Sequence, residues 1–174
     1  DVYKRQTQDD PGVVPDYVIV DCPPGLDLLT VNALVAAQEV FVPMQCEYYS
    51  MEGLSQLHAT IGQVREYLNR ELADGSILLT MFDESSELSA EVASEVRSFF
   101  GNRVLETVVP RCPDLAEAPS HGQTIATYRP HSRGALAYRV AAYELVINDR
   151  DRWRVEVAQD VPAVPATTGS GSVR

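Results

Sequence analysis

The chain has 174 residues, 45% hydrophobic and 22% charged, with a formal net charge of -11. That size and composition suit one globular domain with a proper core, too short to divide into two. It contains no apolar run of about eighteen residues, so no transmembrane helix is expected, and the acidic surplus disfavours contact with phosphate backbones unless the arginines cluster on one face.

In chain order, Asp1–Gln6 (DVYKRQ) match the translated end of a sequencing-library transposon and are set aside from the fold. After a polar entry, Tyr17–Val20 is apolar on both faces and predicts a buried parallel strand ending at Asp21. Pro23, Pro24 and Gly25 break it. The spacing then predicts a helix over 27–38, a strand over Glu39–Pro43, a loop, and a long helix from Met51 to Leu72. A strand over Ser76–Met81, an amphipathic helix over Leu88–Phe100 and a strand over Val104–Val109 follow. Residues 111–129 read as a long loop, which inside a compact domain is usually functional. A last helix is expected over 132–147, and residues 149–174, rich in Pro, Gly, Ser and Thr towards the end, are expected to be a disordered tail.

Strands alternating with helices predict an α/β fold with a parallel sheet, whose ligands bind at the C-terminal strand ends. The residues following the strands are therefore the candidates: Asp21 with its prolines, Gln45–Glu47, Met81–Asp83 and Pro110–Arg111. A carboxylate ending a buried apolar strand needs compensation, and in nucleotide-binding folds a magnesium ion supplies it. A Pro–Arg pair after a strand offers a rigid apolar wall and a planar guanidinium that can stack on a base. The three cysteines, Cys22, Cys46 and Cys112, are odd in number without CxxC spacing, and are expected to be buried thiols of a reducing compartment.

Five blocks, DYVIVDCPPGLDLLTVNAL, VPMQCEYYSMEGLSQL, ILLTMFD, VVPRCPDLAEAPSHGQTI and SRGALAYRVAAYEL, resemble in order and spacing segments of the ParA/Soj chromosome- and plasmid-partition ATPases. These are deviant-Walker-A P-loop proteins related to MinD. The resemblance implies a P-loop NTPase-like, Rossmann-like parallel sheet over residues 7–148, without the P-loop strand. It implies that Asp21 is the Walker B carboxylate, on the magnesium side through water, and that Asp21, Cys22, Pro23, Pro24 and Gly25 form switch II. It places Met81, Pro110 and Arg111 at the adenine of ATP, and Gln45 and Glu47 near the dimer face and nucleotide edge. An ATP hydrolase acting as an ATP-dependent homodimer in the cytoplasm, with a ParB-like partner and non-specific DNA, is the implied parent.

Three departures bear on that implication. Nothing matches the family's GKGGxGKT loop, and no lysine follows Lys4, so most of the phosphate-holding machinery is missing. The family's DARTNL and PRNVRLSEAPS blocks read DESSEL and PRCPDLAEAPS here, with Ser85 and Asp114 where two DNA-binding arginines stand. The family's YDPxSxGAxAY reads YRPHSRGALAY, leaving Arg129, Arg133 and Arg139 as the basic residues of that surface. Two alternatives stay open: a ParA-like positioning or interaction module with little or no DNA binding, and a MinD-like membrane-positioning ATPase. The second would need a basic amphipathic C-terminal helix, of which the tail shows no apolar periodicity.

Overall fold

The computed structural model describes residues 15–159 apart from Pro24 and Leu26, and over 150–159 the course of the backbone alone. Asp1–Gln6 and residues 160–174 of the expected tail therefore lie outside the described residues, as does Pro24 of the switch II stretch.

Helix α1 (Leu28–Ala36) opens at Asp27, whose carboxylate accepts from the amides of Leu29 and Thr30, an N-cap that satisfies two otherwise unpaired donors. Strand β1 (Val42–Gln45) leads into α2 (Tyr48–Tyr67), β2 (Ile77–Phe82) into α3 (Glu87–Phe100), and a single 3-10 turn, Gly101–Arg103, into β3 (Val104–Pro110). Ser86 caps α3 by accepting from the Ser89 amide. The three strands form one parallel sheet in the order β1-β2-β3. The expected loop over 111–129 folds instead into α4 (Pro113–Glu117), a 3-10 turn over Ala118–His121 and α5 (Ile125–Tyr128), and the chain closes with α6 (Arg133–Gln159).

The period-two alternation of the strands divides the core. Met44, Cys46, Ile77, Leu79 and Val104 face α2 and α3, where Leu54, Val92 and Val96 meet them. Leu78, Leu105 and Val109 face the other way and are covered by Ala141 of α6. A third cluster, Leu34 with Ile61, Val64 and Leu72, fastens α1 to α2. On the α6 side, Pro43 and Gln45 of β1 remain exposed among the described residues.

Three expectations need correcting. Tyr17–Val20 is not a buried strand: residues 17–23 carry no ladder and are exposed, Ile19 to 89%. An apolar run cannot hold a strand without a neighbour to take its amides and carbonyls, and none of the three described strands pairs with it; the Tyr17 hydroxyl ties it to α6 by donating to Asp149 at 3.0 Å. Strand β1 lies at 42–45, starting three and ending two residues beyond the expected 39–43, because a single bridge, Glu39 to Ala73, is all that forms earlier among the described residues. Helix α6 continues to Gln159, past the expected end at Ile147 and into the stretch read as tail. No Gly or Pro occurs from Ala135 to Val161, so nothing in the backbone chemistry stops it.

At the opposite end of the sheet from the strands' C-termini, Arg65 grips Asp74 with both terminal nitrogens, at 2.6 and 3.1 Å, and donates through Nε to the Leu72 carbonyl at 2.8 Å. Arg103 stands 3.4 Å from the same carboxylate. The hydrogen bonds from Arg65 hold the Asp74 carboxyl below the usual carboxylate range. A carboxyl depressed in the folded state lends stability above its unfolded pKa of about 3.9, and that stability is lost as pH falls through the lower folded value. Asp74→Asn should therefore flatten the acid limb: its urea midpoint should fall less than the wild-type midpoint between pH 7 and pH 3. Parallel falls in both proteins would show the pair to be neutral.

Candidate functional site

The C-terminal ends of the three strands converge as a parallel sheet requires. The Cys46 amide donates to the Thr80 carbonyl at 3.0 Å, the Thr80 hydroxyl to the Met44 carbonyl at 3.1 Å, and the Arg111 amide to the Phe82 carbonyl at 2.8 Å. Gln45–Glu47, Met81–Asp83 and Pro110–Arg111 are thereby set in one row.

Across this row Arg111 reaches Glu47, Nη2 to Oε1 at 3.0 Å, with both side chains half-exposed. The pair joins the ends of β1 and β3 over the mouth of β2. Beneath it the β2–β3 ladder slips between Leu79 and Phe82, and in that irregularity Met81 takes a φ of +54°. It is the one non-glycine residue with positive φ among those described. A bulky side chain there costs on the order of 1–2 kcal/mol, and a bulge of this kind re-aims the side chain at a strand end.

Asp83, the next residue but one, folds back on its own turn: its Oδ1 accepts from the Ser85 amide at 2.9 Å and the Ser85 hydroxyl at 2.6 Å. Those two hydrogen bonds, with the Arg111 charge adding to them, hold the Asp83 carboxyl below its ordinary value. Arg111 thus sits between two carboxylates, Glu47 in contact and Asp83 nearby.

The structure does not bring the switch II residues to this cluster. Asp21, Cys22 and Pro23 are exposed, and among the described residues Asp21 has no ion-pair partner. Cys22 is thus not the buried thiol expected; Cys46 is buried and Cys112 half-buried. Gly25 is anchored to α1, its carbonyl accepting from the Thr30 hydroxyl at 2.6 Å. Among the described residues no three His, Cys, Asp or Glu side chains converge as a metal-ligand set.

The basic residues of the neighbouring surface are mostly committed. Arg129 pairs with Asp114, Nε to Oδ1 at 3.2 Å, and lies over the Tyr128 ring. Arg133 pairs with Glu84, and Arg139 donates to the Pro130 carbonyl at 3.4 Å. Sequence reasoning marked Ser85 and Asp114 as lost cations, but missed that Asp114 also occupies a neighbouring arginine.

A family model described as an AAA domain matches residues 14–74. The sporulation initiation inhibitor protein Soj of Bacillus subtilis is 50% identical over 133 residues, which are 76% of this chain and 53% of that protein. The chromosome partitioning protein ParA of Caulobacter vibrioides is 46% identical over 136 residues, 78% of this chain and 51% of the relative. Among solved structures, cobyrinic acid a,c-diamide synthase from Mycobacterium smegmatis with bound ATP analogue and magnesium superposes with a TM-score of 0.58 at 32% identity, over 79% of this chain and 48% of that one. The chain spans about half the length of the curated relatives it matches. With its parallel sheet, its row of strand-end residues and this identity to Soj and ParA, the chain belongs to the ParA/Soj family.

Proposed function

We infer that this chain is the base-binding and Walker B portion of a partition ATPase that dimerises on ATP, hydrolyses it under stimulation by a ParB-like partner, and so moves a chromosome, plasmid or other cargo. The observation that carries this reading is Arg111, held by Glu47 across the sheet's C-terminal mouth above the left-handed Met81 and beside Pro110. A guanidinium pinned in this way can lie flat on an adenine, with Pro110 as a wall and the strand-end backbone facing the base edge.

The residues present fit the base end of the nucleotide. Towards magnesium, Asp21 would supply a single carboxylate through water, beside ligands that the described residues do not provide. When bound, the ion would neutralise charge on the phosphates. The relative named as a chromosome partitioning protein and the ATP analogue and magnesium of the mycobacterial neighbour support the reading.

Two measurements test it. In the parent protein carrying a P-loop, Arg111→Ala should weaken ATP binding by about tenfold, from the loss of a desolvated cation–π contact. This chain alone should bind ATP no more tightly than about 1 mM in calorimetry, since triphosphate affinity rests on P-loop amides. Unchanged affinity in the first case, or micromolar binding in the second, overturns the assignment of the site.

A second reading, a ParA-like positioning module with little DNA binding, is favoured by one observation: Arg129 and Arg133 are each paired with a carboxylate. No helix of the described residues is long and apolar enough to cross a membrane.

A further inference from the structure

Asp83, the residue after β2, is pinned from several directions. Its amide donates to the hydroxyl of Ser89, a buried residue of α3, at 3.1 Å, and its carbonyl accepts from the Ser86 amide at 3.1 Å. Its Oδ1 accepts twice from Ser85, from the amide at 2.9 Å and the hydroxyl at 2.6 Å. A carboxylate oxygen has about two lone pairs, so Ser85 fills Oδ1. Oδ2 has no hydrogen bond among the described residues. The turn itself uses only Oδ1, and an asparagine would serve it equally. The charge on Oδ2 is what the turn leaves over.

The ladder sets this free oxygen beside the base site. Phe82 stands opposite Pro110, and the Phe82 carbonyl accepts from the Arg111 amide at 2.8 Å. Asp83 and Arg111 therefore leave neighbouring strands at the same level, roughly 5 Å apart. Glu47 already occupies Nη2 of Arg111, so Asp83 is not needed to hold that guanidinium. A base stacked on Arg111 presents its edge to Asp83.

An ionised carboxylate only accepts hydrogen bonds. It is matched by the amine at C6 of adenine and opposed by the carbonyl oxygen that guanine and hypoxanthine carry there. A carboxylate can also hold guanine through N1–H and the 2-amine, but that parallel pair of donors takes both oxygens. Here Oδ1 is full.

We propose that Asp83 reads the nucleobase, accepting from a 6-amino group through Oδ2, and that Ser85, by filling Oδ1, closes the site to the two-oxygen contact with guanine. The site then takes 6-aminopurine nucleotides over 6-oxopurine ones. This rests on the reading of Arg111 as the residue that stacks on the base. Asp83 touches the base, and Ser85 is a positioning residue that acts through it.

The test is competition binding of ATP, ITP and GTP to the parent protein carrying a P-loop. ITP differs from ATP in having the 6-oxo group, without the 2-amine of GTP. The unaltered protein should prefer ATP to ITP by about tenfold or more. In Asp83→Asn the side-chain oxygen stays with Ser85 and the amide nitrogen replaces Oδ2, turning an acceptor into a donor. The ATP:ITP ratio should fall at least tenfold, to parity or below. Ser85→Ala should lower the ATP:GTP ratio about threefold through a gain in GTP binding, and Ser85→Thr, which keeps the hydroxyl, should preserve it. A purely structural role for Ser85 would change the thermal melt and leave the ratio alone. Arg111→Ala separates this inference from the reading beneath it, because stacking ignores the exocyclic group and ATP and ITP should weaken by the same factor. If Arg111→Ala weakens neither nucleotide, the base site lies elsewhere and both fall. If it weakens both while Asp83→Asn leaves the ATP:ITP ratio unmoved, the base site stands and Asp83 is a turn residue only. Equal affinity of the unaltered protein for ATP and ITP overturns the proposal outright.

Discussion

Replacing Gly75 with alanine is expected to destabilise the fold by about 3 kcal/mol, a large share of what holds a domain of this size together. At this point two stretches of backbone cross. The Ala73 amide donates to the Gln38 carbonyl at 2.8 Å and the Val42 amide to the Ser76 carbonyl at 2.9 Å, so residues 38–42 and 73–77 lie side by side. A Cβ on Gly75 would come 2.9 Å from the Glu39 Cγ and far closer to the Val40 carbonyl. The obstacle is main chain, which no rotamer change can move aside. Relief would require β1 to shift against β2, breaking the pairing of Val42 with Ile77 through Gln45 with Thr80. That register also sets Glu47 level with the end of β2, so the damage should reach the Arg111–Glu47 pair as well as stability. Urea unfolding measures it, with Gly62→Ala as a control of opposite sign. Gly62 lies inside α2 with nothing within 4 Å of an added Cβ, so alanine there should stabilise by about 0.5–1 kcal/mol. A Gly75→Ala midpoint equal to wild type would show that the crossing relaxes cheaply.

How far the sequence could be read depended on whether the deciding interaction was local. Helices α1 and α3 were legible to within a residue or two because Asp27 and Ser86 cap them and Gly101 ends α3. Helix α2 was placed three residues late at its start and five late at its end, because Glu47 caps nothing with its side chain and no proline or glycine marks either boundary. Tyr17–Val20 has the composition of a strand, yet a ladder depends on a neighbour, and composition cannot report one. The strand ends were legible as a site because parallel topology alone brings them together. What stayed hidden there was geometric: the ion pair from Arg111 to Glu47 spans 64 positions, and the left-handed turn at Met81 arises from a register slip between β2 and β3. The paired arginines were hidden for the same reason, since Arg133 meets Glu84 across 49 positions.

The double change Ser85→Arg, Asp114→Arg, made in the parent protein, should tighten binding to non-specific duplex DNA and steepen its salt dependence by about two to four units per dimer. Each added phosphate contact contributes about one unit through counterion release. The two positions are not equivalent. Ser85 now completes a local turn, donating its hydroxyl and amide to Asp83, so an arginine there adds a cation but leaves the amide half of the turn in place. Asp114 holds Arg129 at 3.2 Å, so its replacement removes a carboxylate, adds a guanidinium and frees a second one. Asp114→Arg should therefore exceed Ser85→Arg in both affinity and salt slope, and Asp114→Asn alone should give a measurable part of the gain. Arg133 stays occupied by Glu84 in each variant, which makes Glu84→Gln the natural third step. Fluorescence anisotropy with a duplex of random sequence, in the presence of ATP and at several salt concentrations, reads the slope directly. Should the unaltered protein already bind DNA at sub-micromolar affinity in physiological salt, with none of these changes moving it, the DNA surface lies elsewhere on the molecule. Should Asp114→Asn do nothing while Asp114→Arg succeeds, Arg129 is not on the path of the phosphates and the gain comes from the new side chain alone.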